Sequence, residues 1–313
     1  MTADRLIPLR VAERRAIAVG VLELRLEHAE GRALPSWEPG AHVDLVLPDG
    51  TERQYSLCGP RADDAWTVAV LREPAGRGGS AYVHDMLPVG TPVPARVPRQ
   101  HFSFEPSRPA LFIAGGIGIT PLLSMIAAAE EAGTDWSLAY AGRSREAMAY
   151  LASLEEAYGE RVSAYPASER RLDLAGALAE ARHADRAVYC CGPARLIEEA
   201  ERLSADAPAG SVRFERFVPK AHEQHEEVAF EIEAGGQVLT VAPDRSILEV
   251  CEEAGMLVLS SCREGTCGTC ETPLLEGRAD HRDSVLTPEE QADDRSLMIC
   301  VSRALSPRLV LDL

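Results

Sequence analysis

The chain has 313 residues, of which 46% are hydrophobic and 26% are charged, and its formal net charge is −17. This length allows two or three globular domains, and the negative charge argues against nucleic acid or an anionic membrane as a partner. The first ten residues lack the apolar core of a secretion signal. We therefore expect a cytoplasmic protein with reduced cysteines.

Residues 1–107 predict an antiparallel β-barrel. Apolar and polar residues alternate over Val19–Leu26 and Ala41–Leu47, and Trp66–Leu71 is a further apolar run. Gly and Pro residues separate these runs throughout. Many short strands with frequent turn signals are typical of a barrel.

Two motifs in this part suit a flavin nucleotide. In Arg53-Gln54-Tyr55-Ser56, strand alternation places Arg53 and Tyr55 on one face. The ring can stack on a flavin while the cation meets its phosphate. Gly78-Gly79-Ser80 then precedes a helix predicted to begin at Ala81, where free N–H groups and the Ser80 hydroxyl can bind phosphate. Alternatively, Ser80 is only the N-cap of a surface helix.

Residues 108–222 predict a parallel α/β nucleotide domain, because strands alternate with helices. Ala110–Ala129 is free of charge, but glycines and Pro121 interrupt it, so we interpret it as strand, loop and helix rather than a membrane span. The predicted strands are Leu111–Ala114, Ser137–Ala141 and Ala187–Cys191, and the predicted helices are Pro121–Ala132, Ala147–Tyr158 and Ala194–Leu203.

Gly115-Gly116-Ile117-Gly118-Ile119-Thr120-Pro121 follows a strand and opens a helix, which is the context of a pyrophosphate cradle. It is not the G-x-G-x-x-G fingerprint, and Pro121 also suits a purely structural helix start. Cys191-Gly192-Pro193 ends another strand, at the sheet edge where ligands bind, although Cys191 could equally be core packing.

Arg143-Ser144-Arg145 follows the second strand of this domain. Two arginines there could bind the 2′-phosphate of NADPH, stack on adenine or remain solvated. The choice between NADH and NADPH therefore stays open at this point.

Val218–Glu227 is polar and predicts a linker. The remaining residues predict a small β-rich, β-grasp-like α+β domain over 228–313, with one helix near Ile247–Glu253. From Glu226 onwards, 18 Asp and Glu face seven Arg and no Lys. Such an acidic surface can steer a basic redox partner or simply be solvated.

Four cysteines in this domain have the plant-type [2Fe–2S] spacing, which is C-x4-C-x2-C, then 29 residues, then a final C. Gly265 and Gly268 permit the tight turns that three ligands in one loop require. Zinc fits this spacing poorly. A structural chain with zinc in the cysteine loop is the alternative. It would be colourless, whereas a flavin with a [2Fe–2S] cluster is brown-orange. Cys58, Cys190 and Cys251 lie outside this pattern, and we expect them to be small buried apolar residues. The predicted ligands are Cys262, Cys267, Cys270 and Cys300.

These motifs occur in an order that resembles the phthalate dioxygenase reductase family, which has an FMN domain, an NAD domain and a C-terminal ferredoxin domain. The resemblance covers essentially the whole chain and includes Asp280–Asp283 and Cys300–Ala304. It implies the boundaries 1–107, 108–222 and 228–313. It also implies FMN rather than FAD, and it favours NADH over NADPH.

The resemblance further implies a role for each motif residue. Arg53, Gly78, Gly79 and Ser80 would hold the FMN phosphate, and Tyr55 and Ser56 would contact the flavin ring, with Ser56 near N5. The remaining implied site residues are Gly116, Thr120, Pro121 and Arg143 for the nicotinamide nucleotide, Cys191 near the hydride path, and Phe217, or else Phe214, covering the flavin.

We expect an electron-transfer enzyme that passes electrons from NADH through FMN and the cluster to the terminal oxygenase of a Rieske-type system. A cytochrome P450 acceptor, or an electron-input or redox-sensing subunit of another complex, is the alternative. We further expect a monomer that binds neither nucleic acid nor membrane.

Overall fold

The computed structural model describes residues 6–220 and 227–313. The chain forms two compact units, Met1–Glu215 and Arg216–Leu313. The first unit contains two sheets and the second contains a separate mixed sheet. The predicted division of the first unit near residue 107, and the exact boundaries 108–222 and 228–313, stay predictions.

The first sheet has six antiparallel strands in the order β4-β3-β6-β1-β2-β5. Alternate residues of these strands fill a common core that includes Leu24, Leu45 and Val68. The elements are β1 (Ile7–Ala18), β2 (Val21–His28), β3 (His42–Val46), β4 (Glu52–Ser56), β5 (Ala65–Leu71), α1 (Gly79–Met86) and β6 (Pro92–Ala95).

The sheet bends toward a barrel but no continuous ladder closes it in the described residues. The edge strands β4 and β5 are joined by an isolated bridge between Leu57 and Val68. Pro60 follows closely and has no N–H to donate, which accounts for the ladder ending there. The predicted antiparallel barrel domain is therefore confirmed with an incomplete seam.

The second sheet is parallel, with the order β11-β10-β7-β8-β9. Helices cover both faces, because Phe112 belongs to one apolar core and its neighbour Ile113 to the other. The elements are β7 (Ala110–Gly115), α2 (Ile119–Ala132), β8 (Trp136–Gly142), α3 (Leu151–Tyr158), β9 (Val162–Pro166), α4 (Leu174–His183), β10 (Ala187–Cys191), α5 (Ala194–Leu203) and β11 (Val212–Glu215).

The strand order reverses between β7 and β10, so the loops after these two strands open at the topological switch point of the sheet. Ligands of doubly wound folds bind in the crevice at this point. Both sequence motifs of the nucleotide domain, the glycine loop after β7 and Cys191-Gly192-Pro193 after β10, therefore lie where a nucleotide would bind.

The second unit has the mixed sheet β13-β12-β18-β14-β16, in which β12 and β18 are parallel, and a two-stranded ribbon of β15 and β17. Its helix α6 packs Ile247, Leu248 and Cys251 into the core. This confirms the predicted α+β fold. The elements are β12 (Phe230–Ala234), β13 (Gln237–Val241), α6 (Ile247–Glu253), β14 (Glu271–Glu276), β15 (Ala279–Asp280), α7 (Pro288–Asp293), β16 (Ser296–Met298), β17 (Arg303–Ala304) and β18 (Arg308–Leu311).

One predicted helix begins later than expected. The helix predicted over Ala147–Tyr158 is a short 3-10 turn at Arg145–Ala147 followed by α3 from Leu151. Tyr150 separates the two because its backbone is left-handed, with φ 63°. Most of the predicted linker Val218–Glu227 lies outside the described residues.

The charge-free stretch Ala110–Ala129 is divided between β7, a 3-10 turn at Gly116–Gly118 and α2, as predicted. Within residues 6–220 and 227–313, no helix combines the length and the apolar character that a bilayer crossing requires.

The capping box of α6 generates a stability prediction. The Ser246 hydroxyl accepts a bond from Glu249 N at 3.2 Å, and Glu249 Oε2 accepts one from Ser246 N at 2.9 Å. We expect Ser246→Ala to lower the free energy of unfolding of the second unit by about 1 kcal/mol. The measurement is the denaturant midpoint followed by loss of cluster absorbance. Ser246→Asp keeps an acceptor and should retain most of the stability; equal losses in both variants would contradict the capping role.

Candidate functional site

The flavin motif and the glycine motif of the first sheet lie against each other. A Cβ placed on Gly79 would lie 2.7 Å from Cγ of Arg53, so the arginine side chain crosses the start of α1 at van der Waals distance. The Arg53 guanidinium also donates to the carbonyl of Arg77 at 3.3 Å. A cation and a helix N-terminus on one small surface fit a phosphate group.

The residues around this cradle are partly or fully buried at the end of β4. Tyr55 is half-buried, and its burial raises the pKa of the phenol to about 12, so the ring is neutral. Ser56 is buried at the end of β4. Gly78 is the left-handed residue, φ 81°, that precedes α1.

Ser80 has a structural partner. Its hydroxyl accepts a hydrogen bond from Glu73 N at 3.0 Å and so closes the loop before α1. The Ser80 side chain therefore stabilises this loop, and a direct contact between Ser80 and a phosphate stays a prediction. The helix itself begins two residues before the predicted start, at Gly79 rather than Ala81.

The nucleotide loop and the Cys191 loop touch through their backbones. A Cβ on Gly118 would overlap the carbonyl of Cys191 and lie 2.6 Å from Gly192 N, and a Cβ on Gly115 would lie 2.6 Å from Cδ of Pro193. These glycines are required by the close approach of two chain segments. Gly116 is left-handed, φ 55°, and has open space around it, which leaves room for a pyrophosphate.

Thr120 and Pro121 are buried in the first turn of α2. The Thr120 hydroxyl donates to the carbonyl of Ile117 at 2.9 Å, so it braces the loop. Arg143 is exposed where β8 ends, and Arg145 forms an ion pair with Glu155 of α3.

Glu215, which the sequence analysis did not single out, lies beside Cys191. Parallel pairing of β10 with β11 sets Cys191 opposite Glu215, and the thiol lies 3.9 Å from Glu215 Oε2. Burial raises the pKa of Glu215 to about 8 and raises the pKa of the Cys191 thiol well above its usual value. Both groups therefore carry protons below about pH 8. One sequence feature could have drawn attention to Glu215: it ends β11, the last strand of the parallel sheet, at the edge where ligands bind.

Phe217 belongs to the second unit and is 43% exposed. Phe214 is half-buried within β11 of the first unit. Its ring packs against the core that contains Ile113 and Val188, so Phe217 is the more exposed of the two aromatics. Its predicted role over the flavin stays a prediction.

The four predicted cluster ligands converge, and all four are buried. The Cys262 thiol contacts the thiols of Cys267 and Cys300, and the Cys270 thiol contacts Cys300. These contacts lower the pKa of Cys262 and Cys270 and raise the pKa of Cys267 and Cys300. Four buried thiols in mutual contact are the kind of donor set that a plant-type [2Fe–2S] cluster uses.

Backbone N–H groups of the same loop point at the sulfurs. Cys262 Sγ accepts from Glu264 N at 3.3 Å and from Thr266 N at 3.5 Å, and Cys267 Sγ lies 3.0 Å from the Thr269 hydroxyl. Such donors stabilise negative charge on cluster sulfurs. Gly265 and Gly268 are both left-handed, φ 69°, as the tight loop predicts.

Comparison with known proteins supports an iron–sulfur domain and a nucleotide-binding domain in this chain. A family described as "2Fe-2S iron-sulfur cluster binding domain" matches residues 230–305, and one described as "Oxidoreductase NAD-binding domain" matches residues 112–202. The chain is 41% identical to a putative toluene-4-sulfonate monooxygenase system reductase subunit of Comamonas testosteroni, with 100% of each chain covered. It is 34% identical to phthalate dioxygenase reductase of Burkholderia cepacia, with 99% of this chain and 98% of that one covered.

Two solved structures are similar along the chain. Phthalate dioxygenase reductase, described as a modular structure for electron transfer from pyridine nucleotides to [2Fe–2S], has a TM-score of 0.72 at 34% identity, with both chains fully covered. An intact type IV self-sufficient cytochrome P450 monooxygenase has a TM-score of 0.91 at 38% identity. The match covers 98% of this chain but only 41% of that longer protein.

The fold and these sites define an oxidoreductase that carries electrons from a pyridine nucleotide through a flavin to a [2Fe–2S] centre. With relatives above 30% identity along its whole length, the chain belongs to the phthalate dioxygenase reductase family. Membership confirms the family resemblance, and the cofactors FMN, NADH and [2Fe–2S] agree with it.

The backbone contact at Gly118 predicts a loss of nucleotide binding on substitution. We expect Gly118→Ala to force the two loops apart, to destabilise the protein by about 1–3 kcal/mol and to raise the dissociation constant for NADH about tenfold. The concentration dependence of anaerobic flavin reduction by NADH, together with thermal unfolding, measures both effects. Gly133→Asn, at the left-handed C-cap of the same helix where space is open, is the control. Native binding by Gly118→Ala would contradict the contact.

The raised pKa of Glu215 predicts a pH dependence of stability. Because the folded protein keeps this proton to about pH 8 whereas the unfolded chain releases it near pH 4.5, stability is lost as the pH rises through this window. The slope is at most about 1.4 kcal/mol per pH unit. Glu215→Gln stays neutral, so its melting temperature should decline less between about pH 5 and pH 8. Parallel profiles for the two proteins would show that Glu215 is ionised throughout.

Proposed function

We propose that the protein is the reductase component of a Rieske-type oxygenase system, which takes electrons from NADH and delivers them singly to the terminal oxygenase. The observation that carries the proposal is the convergence of four buried thiols, Cys262, Cys267, Cys270 and Cys300, in a loop whose N–H groups face sulfur. When bound, FMN accepts two electrons as a hydride and releases them one at a time, and the cluster takes one at a time.

The residues of the chain bind and position these groups in the proposal. Arg53 and the start of α1 would bind the FMN phosphate, and Tyr55 and Ser56 would contact the ring. Cys191, Glu215 and the loop at Gly116 would bound the nicotinamide nucleotide. Phe217 would cover the flavin.

We propose NADH rather than NADPH as the donor. A 2′-phosphate needs free cationic groups near the end of β8. Both arginines are exposed, and the charge of Arg145 is offset by its ion pair with Glu155. An arginine whose charge is already offset by a carboxylate supports adenosine stacking or a ribose contact more than strong phosphate binding.

A Rieske-type oxygenase is the proposed acceptor because relatives matched along their full lengths include a subunit named for phthalate 4,5-dioxygenase and one named for carnitine monooxygenase. The acidic second unit supports a partner with a basic docking face. A cytochrome P450 acceptor is the second candidate, favoured by the TM-score of 0.91 with a P450 fusion protein. We also propose a cytoplasmic monomer, consistent with eight free cysteines.

An anaerobic NADH titration followed by absorbance and low-temperature EPR tests the proposal. Bleaching of flavin and cluster together, with a rhombic reduced [2Fe–2S] signal, is the expected result. Bleaching with NADPH alone would overturn the choice of donor. No bleaching with either nucleotide would overturn the function.

Substitution of a cluster ligand separates the two halves of the electron path. We expect Cys267→Ser to retain NADH-dependent flavin reduction within about twofold, and to lose the EPR signal and reduction of one-electron acceptors such as cytochrome c. Cys251→Ser, a buried cysteine of the same unit outside the ligand set, is the matched control. Full acceptor reduction by Cys267→Ser would show that electrons leave from the flavin directly.

A further inference from the structure

Tyr150 has an unusual backbone for a residue with a large side chain. It lies before α3 with φ 63° and ψ 2°, a left-handed conformation that is uncommon outside glycine. Its carbonyl accepts bonds from the Ser153 hydroxyl at 2.8 Å and from Leu154 N at 3.0 Å, so the first turn of α3 holds it. Strained residues of this kind persist where the surrounding structure fixes an arrangement.

The hydroxyl of Tyr150 reaches the antiparallel sheet. It donates to Glu23 Oε2 at 2.7 Å and lies 3.5 Å from Sγ of Cys58. Glu23 belongs to β2 and is held in turn by Arg15 at 2.9 Å. Cys58 comes two residues after Ser56, at the end of the strand that carries the proposed flavin contacts.

Burial keeps both partners protonated. It raises the pKa of the Cys58 thiol to about 12 and raises the pKa of Tyr150 far above its ordinary value. The phenol therefore donates its only proton to the Glu23 carboxylate, and the thiol hydrogen is left for Tyr150 or for the carbonyl of Thr67, 3.5 Å away. A neutral phenol bonded to a carboxylate is among the stronger protein hydrogen bonds.

The same segment is connected to the nucleotide loop by Tyr140. This tyrosine is fully buried, and its hydroxyl lies 3.1 Å from the carbonyl of Ala149 and 3.1 Å from the carbonyl of Gly116. Ala149 immediately precedes Tyr150. A continuous set of contacts therefore runs from Gly116 through Tyr140 and Tyr150 to Glu23 and Cys58.

We propose that this set of contacts, the Tyr150 tie, fixes the nucleotide loop relative to the flavin strand, and that Tyr150 is a positioning residue for hydride transfer. The inference rests on the proposed function, because it concerns the same flavin and nicotinamide sites. Hydride transfer requires donor and acceptor about 3–3.5 Å apart in a defined orientation. The two sites belong to different sheets, so their distance depends on contacts between the sheets.

A backbone hydrogen bond near the Tyr150 tie also joins the two sheets. Val19 N, in the turn between β1 and β2, donates to the carbonyl of Glu146 at 2.8 Å. This bond can keep the two sheets together when the Tyr150 hydroxyl is removed. Loss of the hydroxyl is therefore expected to loosen the alignment rather than to unfold the protein.

The test is anaerobic stopped-flow reduction of the FMN-loaded protein by NADH. We expect Tyr150→Phe to reduce the limiting rate of flavin bleaching about tenfold, with the dissociation constant for NADH unchanged within about twofold. The long-wavelength absorbance of the stacked nicotinamide–flavin pair should weaken in parallel. FMN content, and the cluster EPR signal after dithionite reduction, should stay as in the unmodified protein. Tyr158→Phe, whose ring packs on Trp136 at 5.0 Å, is the matched control with no expected change.

Two variants of Glu23 separate positioning from general destabilisation. Glu23→Gln keeps an oxygen that accepts from the phenol and should recover most of the rate, whereas Glu23→Leu should reproduce the slow rate of Tyr150→Phe. An unmodified rate in Tyr150→Phe, or equal loss in Glu23→Gln and Glu23→Leu, overturns the inference while leaving the proposed function intact. Absence of flavin reduction in the unmodified protein would overturn the proposed function, and the inference with it.

Discussion

The contact on which the first unit depends is the approach of two backbones at the switch point of the parallel sheet. Gly118 lies so close to Cys191 and Gly192 that no side chain fits between them. This contact places the glycine loop against the end of β10, and the parallel register of β10 with β11 sets Cys191 beside Glu215. The two contacts together assemble the proposed nicotinamide site, because the loop, the thiol and the carboxyl come from three different strands.

The consequence is a site whose polar groups are shielded from water. Cys191 is fully buried and Glu215 half-buried, and burial favours the protonated form of each. At the proposed nicotinamide site, a neutral thiol and a neutral carboxyl would therefore add no net charge beside the ring that gives up the hydride. A carboxylate at the same place would also demand a cation, and among the described contacts Glu215 meets a thiol instead.

Local patterns in the sequence predicted the elements well where one face is apolar. The strand Ala187–Cys191, the helix Ala194–Leu203 and the helix Ile247–Glu253 have the predicted bounds. The predicted start of α3 was wrong because the left-handed backbone of Tyr150 interrupts the helix, and the sequence carries no local signal for that conformation. The strand β1, the strand β9 and the helix α4 were not predicted.

The cluster ligands were predictable because three of them are separated by only a few residues and the spacing itself encodes the loop. The contact of Glu215 with Cys191 could not be predicted in this way, because it depends on the register of two parallel strands that are far apart in sequence. Likewise, no local pattern around Cys58 predicts its contact with the Tyr150 hydroxyl, which lies 92 residues away in sequence. The roles of the individual flavin and nucleotide residues stay predictions.

The two compact units match two different physical demands. A hydride carries a nucleus, so its transfer depends on atomic alignment, and the first unit supplies close backbone contacts and buried hydrogen bonds between its two sheets. A single electron carries no atom, so the second unit needs mainly a low-dielectric pocket and donors to sulfur, which the loop around Cys262 supplies. Close contacts between the two sheets of the first unit, and N–H donors around the thiols of the second, are therefore what this division of chemistry requires.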